Sequence, residues 1–445
     1  MPEPETPLAE RPWEDVARML GVDEALEIIL ASVKPLAPVQ VALLDAVGLV
    51  TAEMVVADQP IPPFTNSAMD GYAVRAIDTQ GASVGQPAKL RVVGQLPAGY
   101  APGVEIVSGT AARIMTGAPL PDGADAVVRF EETDERSSGA TTARLNAKPC
   151  WVGVTRAARP LDNVRPPGED VAAGEAVVRA GICLRPAHIG LLAAVNRIHV
   201  RVHPRPRVAI LSTGDEVVDL GPSLRPGQVR NSNSYTLAAM TIRAGGVPLM
   251  LGIAGDRTDD LTEKLALARS ADLIVTSGGV SLGDYDMVKD VLRRQGKIDI
   301  WQVRMKPGKP LAFGRVGSTP LLGLPGNPVA AAVSFEVFGI PALRRMLGCQ
   351  NLEQPIIQAT LVERIDNRGQ RRHFVRARVS RASDGEWQVE PAGQQGAGVL
   401  SSLARANGLL VVPEELEVAE PGMRLPVRML HWETGGIEEH PHQMT

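Results

Sequence analysis

The stretch that most constrains this chain is Leu273 to Val291, LIVTSGGVSLGDYDMVKDV. Leu273–Val275 is a short apolar, β-branched run, which predicts a buried parallel strand. Thr276-Ser277-Gly278-Gly279 then turns the chain. Asp284 to Arg294 has helical spacing, with Val288, Val291 and Leu292 on one face. Strand, glycine turn and helix together build a ligand site at the carboxyl end of a sheet strand. The glycines let backbone N–H groups approach an anion, and the helix N-terminus adds partial positive charge. Asp284 and Asp286 follow closely, so the stretch predicts a phosphorylated ligand held through a divalent metal.

The flanking sequence repeats this alternation from Arg207 to Leu347. VAILSTGDEV reads as strand then turn, SNSYTLAAMTIRAGG as a helix with a glycine stop, and VPLMLGIAGD as strand then polar loop. Leu261–Arg269 reads as helix, and WQVRMKPGKPLAFG and PLLGLPGNPVAAAVSFEVF complete the series. In the last piece Leu321–Leu324 is a strand and Pro328 suits a first helical turn. The β-α alternation predicts a doubly wound α/β domain, a parallel sheet with helices on both faces. At its strand ends stand Thr213-Gly214-Asp215-Glu216, Asp256, Ser277 to Asp286, Lys306-Pro307-Gly308-Lys309-Pro310 and Gly326-Asn327-Pro328. Any one of these alone is explained by the needs of a turn. Five on one rim favour a binding site.

Upstream, Trp13–Val33 has helical spacing and ends before Pro35, and Val39–Val56 reads as strand, the helix-like LLDAVGLV, and return strand. IPPFTNSAMDGYAV (Ile61–Val74) is a polar loop between apolar anchors. Ala88 to about Asn146 alternates short strands and turns, a small β-rich domain. VRPPGEDVAA is a second polar loop, and Pro186–Val195 is helix-like. The chain therefore leaves its first segment, builds the β-rich domain and returns. Residues 355–430 revert to short strands and predict a compact all-β domain.

Composition excludes several classes. With 445 residues the chain forms several domains, and its net charge of −4 gives no global reason to expect nucleic acid or a membrane surface. Aromatic residues at 3% leave few platforms for stacking bases. Cys150, Cys183 and Cys349 stand far apart with no CxxC pair, and the histidines show no HExxH motif. The acidic, Pro-rich start lacks a basic n-region and a long apolar core, and no run of about 18 apolar residues occurs. The expectation is a soluble, cytoplasmic, multidomain protein.

Particular residues carry candidate chemistry, each beside a plainer explanation. Lys306 and Lys309 flank a Pro-Gly turn; a tethered lysine pair suits an oxyanion or phosphate, and a solvated charged turn has the same sequence. Glu216, Asp256 and Asp286 are oxygen donors suited to Mg²⁺, although acids near turns are common. Asn66, Ser67 and Asp70 lie in a loop that also reads as a capped turn with Met69 and Tyr72 packing. Asp170, beside Arg165, also reads as half of a salt bridge. His188, His199 and His203 read as structural or solvated.

Together these motifs resemble the molybdopterin molybdenumtransferases, the MoeA and gephyrin E-domain family. The likeness runs from about Trp13 to Leu430 through PFTNSAMDGYAV, RIMTGAPLPDGADAVV, RPPGED, STGDEVV, RNSNSYTL, TSGGVSLGDYDMVK, KPGKPLAFG and GLPGNPVA. It implies a multidomain α/β plus β fold. An elongated, discontinuous linker domain (13–60 and 160–200) would hold an inserted β-rich domain (61–159). An α/β molybdopterin-binding domain (201–348) and a C-terminal all-β domain (349–432) would follow, with flexible tails at 1–12 and 433–445. The implied reaction is insertion of molybdate into adenylylated molybdopterin, giving molybdenum cofactor and AMP with Mg²⁺ or another divalent cation. A homodimer with shared active sites is implied, with each site between the α/β domain of one subunit and the first domains of the other. Contact with the molybdopterin adenylyltransferase is a further implication.

By the same resemblance Asp70, Asp170, Thr116, Arg165 and Glu216 would be catalytic. Ser277, Gly278, Gly279, Ser281, Lys306, Lys309, Pro325 and Asn327 would bind substrate, and Asp256, Asp286 and Glu216 would hold the metal. Two positions depart from the family pattern. Asn231 stands where many relatives have Asp, removing a possible negative charge, and Gly396-Ala397 stands where relatives often have Gly-Ser. Two other functions compete: a gephyrin-like dimeric scaffold without turnover, and the adenylyltransferase step, whose enzyme shares the TSGG-type fold. The second is usually a single small domain lacking the NSAMDGYAV and RPPGED loops. Tungstate could replace molybdate.

Overall fold

The computed structural model describes residues 19–135, 150–255, 257–279, 298–434 and 437–439. The chain forms two compact units. One comprises Met54–Arg179 with Ala187–Ile198, and the other the described residues up to Glu53, Ala180–Pro186 and everything from His199 onward.

The first unit is built on a five-stranded sheet. Its strands are β1 (Gly71–Val74), β2 (Ala88–Leu96), β3 (Thr110–Ile114), β4 (Ala126–Arg129) and β5 (Cys150–Val154), in the order β5-β2-β3-β1-β4. Side chains alternate across the pleat, so Tyr72 and Val74 bury on one face with Leu90, Val128 and Val152. Ala73 buries on the other with Leu96, Ile114 and Val127. Beside this sheet, Asn66–Ser67 pairs antiparallel with Val164–Arg165.

The second unit contains a seven-stranded sheet. Its long strands are β6 (Arg207–Thr213), β7 (Val247–Ala254), β8 (Leu273–Ser277), β9 (Ile298–Val303), β10 (Pro310–Val316) and β11 (Thr319–Leu324). The order is Met19–Leu20, β9, β10, β11, β8, β6, β7. Strands β11, β8, β6 and β7 are mutually parallel, as the alternation predicts. The all-parallel expectation fails at β10, which runs antiparallel to both β9 and β11. Only Gly317 and Ser318 separate β10 from β11, too short a link for the crossover that parallel pairing demands.

The long helix expected over Trp13–Val33 is also corrected. Met19–Leu20 is a strand paired with Gln302 and Val303, and the helix is Val22–Ser32. Gly21 divides the two: its backbone N–H donates to the Glu24 carboxylate at 3.4 Å, one half of a capping box, and the helix starts there. Ala25 and Ile29 of this helix join one large core with Val275, Leu322, Leu324 and Phe338.

The C-terminal strands close on themselves. β12 (Ile356–Leu361), β13 (Arg372–Arg381), β14 (Trp387–Pro391), β15 (Gly408–Val412) and β16 (Arg424–Met429) pair as β13-β14-β12-β16-β15 and back to β13, a closed barrel. Its interior is apolar, with Val375, Ala377, Val389, Leu410, Val412 and Val427. Phe374 and Leu409, one residue out of phase, instead join the large core of the α/β layer. Met305–Lys306 runs parallel to β13, outside the ring, with Lys306 level with His373.

Candidate functional site

Chemistry-bearing residues gather at one place in each unit. In the first unit three loops are stitched together by backbone bonds. The Ser67 N–H donates to Ala118 O at 3.0 Å, the Gly117 N–H to Ser67 O at 2.8 Å, and the Asp170 N–H to Ile61 O at 3.0 Å. The NSAMDG, MTGAP and RPPGED segments thus form one patch, and Asp70, Thr116, Arg165 and Asp170 are all exposed on it. Asp70 Oδ1 accepts the Thr116 backbone N–H at 2.7 Å and the Thr116 hydroxyl at 2.8 Å. These two bonds, the backbone one first, hold the Asp70 carboxyl below its usual range, with Arg113 adding a smaller push the same way. The ion pair that Arg165 makes is with Glu169, at 3.8 Å, so the expected salt bridge goes to the acid preceding Asp170.

In the second unit those predicted rim turns that lie among the described residues do share one edge. Parallel strands β11, β8, β6 and β7 all end at the same edge, at Leu324, Ser277, Thr213 and Ala254. Antiparallel β10 begins there, which brings the Lys306–Lys309 turn to that edge as well. The correction to the sheet is therefore what delivers the lysines.

The rim is tightly built. The Gly278 N–H donates to Leu324 O at 3.0 Å. Gly278 has φ +96°, and a Cβ there would stand 2.7 Å from Thr213 Oγ1, so no larger residue allows the TSGG turn to lie against the end of β6. Gly279 is likewise in the left-handed region, at φ +67°. Ser277 is buried, and its hydroxyl donates to Pro325 O at 3.3 Å. Asn233 spans the gap between two turns: its Nδ2 donates to Ser277 Oγ at 2.7 Å and to Gly326 O at 2.8 Å. Asn327 is exposed and opens the Pro328–Ser334 helix, with Pro328 in the first turn as expected. Gly308 is pressed against Ser334, whose buried hydroxyl has no partner among the described residues.

Glu216 is exposed beyond β6, and its carboxylate lies where a Cβ on Gly214 would stand, 2.4 Å from Oε2. Ser281, Asp256 and Asp286 lie outside the described residues. Among the described residues no three acids, histidines or cysteines cluster as a metal site. Glu216 fits a divalent cation as a hard oxygen donor at the strand ends.

Both family departures have structural roles. Asn231 is 2% exposed, and its Oδ1 accepts from the Ser212 hydroxyl at 2.8 Å and the Ser234 N–H at 3.2 Å, capping the Ser232–Arg243 helix. Neutral Asn meets both donors without burying a charge. The Ala397 carbonyl accepts the Val329 N–H at 3.0 Å, tying the barrel loop to the first turn of the Pro328–Ser334 helix.

Sequence reasoning missed Asn233, Arg376 and His373. Asn233 stands in an SNS run that reads as ordinary helix start. Arg376 is fully buried: its Nε donates to Ser402 Oγ at 3.1 Å and its Nη2 to the carbonyls of Gln394 and Gly396, while Nη1 has no described partner. Burial lowers its pKa to about 10. In RRHFVRARVS it looks like a solvent-facing strand charge, and only its bonds to Gln394, Gly396 and Ser402 distinguish it.

Comparison with known proteins gives a consistent result. A sequence profile described as "MoeA N-terminal region (domain I and II)" matches residues 20–196. One described as "Probable molybdopterin binding domain" matches 209–345, and "MoeA C-terminal region (domain IV)" matches 358–430. The chain is 40% identical to molybdopterin molybdenumtransferase 2 of Mycobacterium tuberculosis, over 92% of this chain and 99% of that protein. It is 37% identical to the molybdopterin molybdenumtransferase of a Nostoc species, over 92% of this chain and 93% of that one. The crystal structure of the molybdopterin biosynthesis moeA protein of Pyrococcus horikoshii OT3 is similar, with TM-score 0.76 and 29% identity, covering 93% of this chain and all of that one.

Proposed function

The chain belongs to the MoeA family of molybdopterin molybdenumtransferases, and on that premise we propose that it inserts molybdate into adenylylated molybdopterin, forming molybdenum cofactor and releasing AMP. The observation that carries this reading is the carboxyl edge of the α/β sheet, where Asn233 clamps the TSGG turn to the turn after β11. The absent side chain of Gly278 lets the TSGG turn lie against the end of β6, and in this reading the backbone of Ser277, Gly278 and Gly279 cradles the anionic nucleotide. Lys306 and Lys309, brought to the same edge by antiparallel β10, are the cations that receive molybdate.

Glu216 would hold a divalent cation, completed by Asp256 and Asp286. When bound, such an ion neutralises the phosphate oxygens as the anhydride breaks. Asp70, held ionised by Thr116, and Asp170 serve the reacting centre with Arg165. The working form is a homodimer in which the Asp70 and Asp170 loops of one copy serve the other, and the adenylyltransferase delivers its product by direct contact.

The test is to incubate the purified protein with adenylylated molybdopterin, molybdate and Mg²⁺, and to add a molybdenum-free apoenzyme that needs the cofactor. Activation that depends on all three additions supports the reading. Tight nucleotide binding without activation would make the protein a binding or scaffold protein instead.

A further inference from the structure

His373 is a buried group that the site described above does not use. It is 2% exposed, and both ring nitrogens lack a hydrogen-bond partner among the described residues. An imidazole always has at least one nitrogen that donates, so a ring with neither nitrogen paired is costly to bury. Its place in the sheet says what it awaits. Lys306 is its register partner on the adjacent parallel strand, so the two side chains leave the same face. On the other side, β15 is GLLVV and offers no titratable group; Val412 is level with His373. The charges that bear on the ring are Lys306, Arg376 and Arg371, all positive, and no carboxylate is among them. Burial first, then these cations, push its pKa down to about 3, so the ring is neutral at pH 7.

We propose that His373 makes oxyanion binding proton-coupled: when an oxyanion docks at Lys306, the imidazole takes one proton from solvent and becomes an additional cation of that site. The inference rests on the assignment of Lys306 to the oxyanion. The physical argument is reciprocal. Burial excludes the proton first and the cations second; a dianion neutralises the cations and, by giving an N–H donor something to bind, offsets part of the cost of burial. Anion and proton then assist each other, and the linkage makes affinity fall as pH rises, by at most about tenfold per pH unit.

The experiment uses molybdate alone, at submillimolar concentration between pH 5 and 7, on the full-length protein, the range reached when a pKa of about 3 rises by the roughly one to three units an opposite charge supplies. Calorimetry in two non-phosphate buffers of different ionisation enthalpy reads the proton directly. The expected result is a buffer-dependent heat equivalent to uptake of a large fraction of one proton per molybdate, with affinity falling as pH rises. His373→Gln keeps the ring's approximate size and loses the titration. It should still bind molybdate, with the same heat in both buffers and no pH dependence over this range. Wild-type binding without proton uptake, or uptake that survives in His373→Gln, would overturn the proposal while leaving the lysine site standing. Lys306→Met separates the two failures: if it binds molybdate as tightly as wild type, the oxyanion does not sit at Lys306, and both readings fall.

Discussion

Asp70 and Thr116 are joined through a single carboxylate oxygen, Oδ1, which accepts both the backbone N–H and the hydroxyl of Thr116 at 2.7 and 2.8 Å. The two residues stand on different loops of the same patch, so this pair fixes one loop against the other. It also fixes the charge. A carboxyl held below its usual pKa contributes stability that is present above the unfolded-state value, and that is lost as pH falls through the lower folded value. Asp70 is therefore ionised throughout the neutral range. Carbon NMR titration of Asp70 should give a midpoint below 3.8, and Thr116→Val should move it upward, since the backbone bond remains and the hydroxyl bond is gone. An unchanged midpoint in the variant would show that the hydroxyl does not hold the carboxylate.

Asn233 links the TSGG turn to the turn after β11, and nothing else described bonds to both through one side chain. Asn233→Ala leaves the Gly326 carbonyl without that donor and removes the bond Ser277 Oγ accepts, while the Ser277 hydroxyl still donates to Pro325 O. At about 0.5–1.5 kcal/mol for a partly exposed bond, nucleotide affinity should fall by roughly 2- to 13-fold. Equilibrium binding of adenylylated molybdopterin measures this. Affinity within twofold of wild type would remove Asn233 from the site.

Two glycines of the rim make opposite predictions. A methyl group on Gly278 would meet Thr213 Oγ1 at 2.7 Å and the Thr213 carbonyl at 2.9 Å, at φ +96°. Gly278→Ala should therefore cost about 1–3 kcal/mol of stability and abolish nucleotide binding. Gly326→Ala meets only the Gly278 Cα at 3.7 Å, an ordinary contact, and should unfold near the wild-type temperature. Thermal unfolding of both variants decides the matter. Equal melting temperatures would mean that the TSGG turn does not need its close approach to β6.

The assembly can be tested by mixing inactive variants. Asp70 lies in one compact unit and Lys306 in the other. In a homodimer with shared sites, co-refolded Asp70→Ala and Lys306→Met subunits form mixed dimers that keep one intact site. Random pairing then restores about a quarter of wild-type activity. No recovery would mean that each chain completes its own site.

What the sequence disclosed, and what it did not, divides along range. The TSGG and KPGK turns were legible because Gly and Pro mark turns wherever they stand, and the apolar runs beside them mark strands. Their shared rim followed from β-α alternation, although the antiparallel β10–β11 hairpin was read as parallel. Periodicity cannot report strand direction; the two-residue link at Gly317-Ser318 could have. Leu20 carried the same apolar signal as its helical neighbours, and only its pairing with Val303 makes it a strand. Arg376 and His373 escaped notice because their surroundings come from distant sequence, Arg376 among Gln394, Gly396 and Ser402 and His373 between the strands of Lys306 and Val412. Asn231 was read by its charge, whereas its role is a buried helix cap. Ser281, Asp256 and Asp286 lie outside the described residues, so their assignment rests on the sequence.

The central claim is tested most directly by the time course of AMP release from adenylylated molybdopterin, with and without molybdate, in the presence of Mg²⁺. The account predicts release that rises on adding molybdate and is lost in Asp70→Ala and in Lys306→Met. AMP released at the same rate without molybdate, or undiminished in both variants, would contradict it.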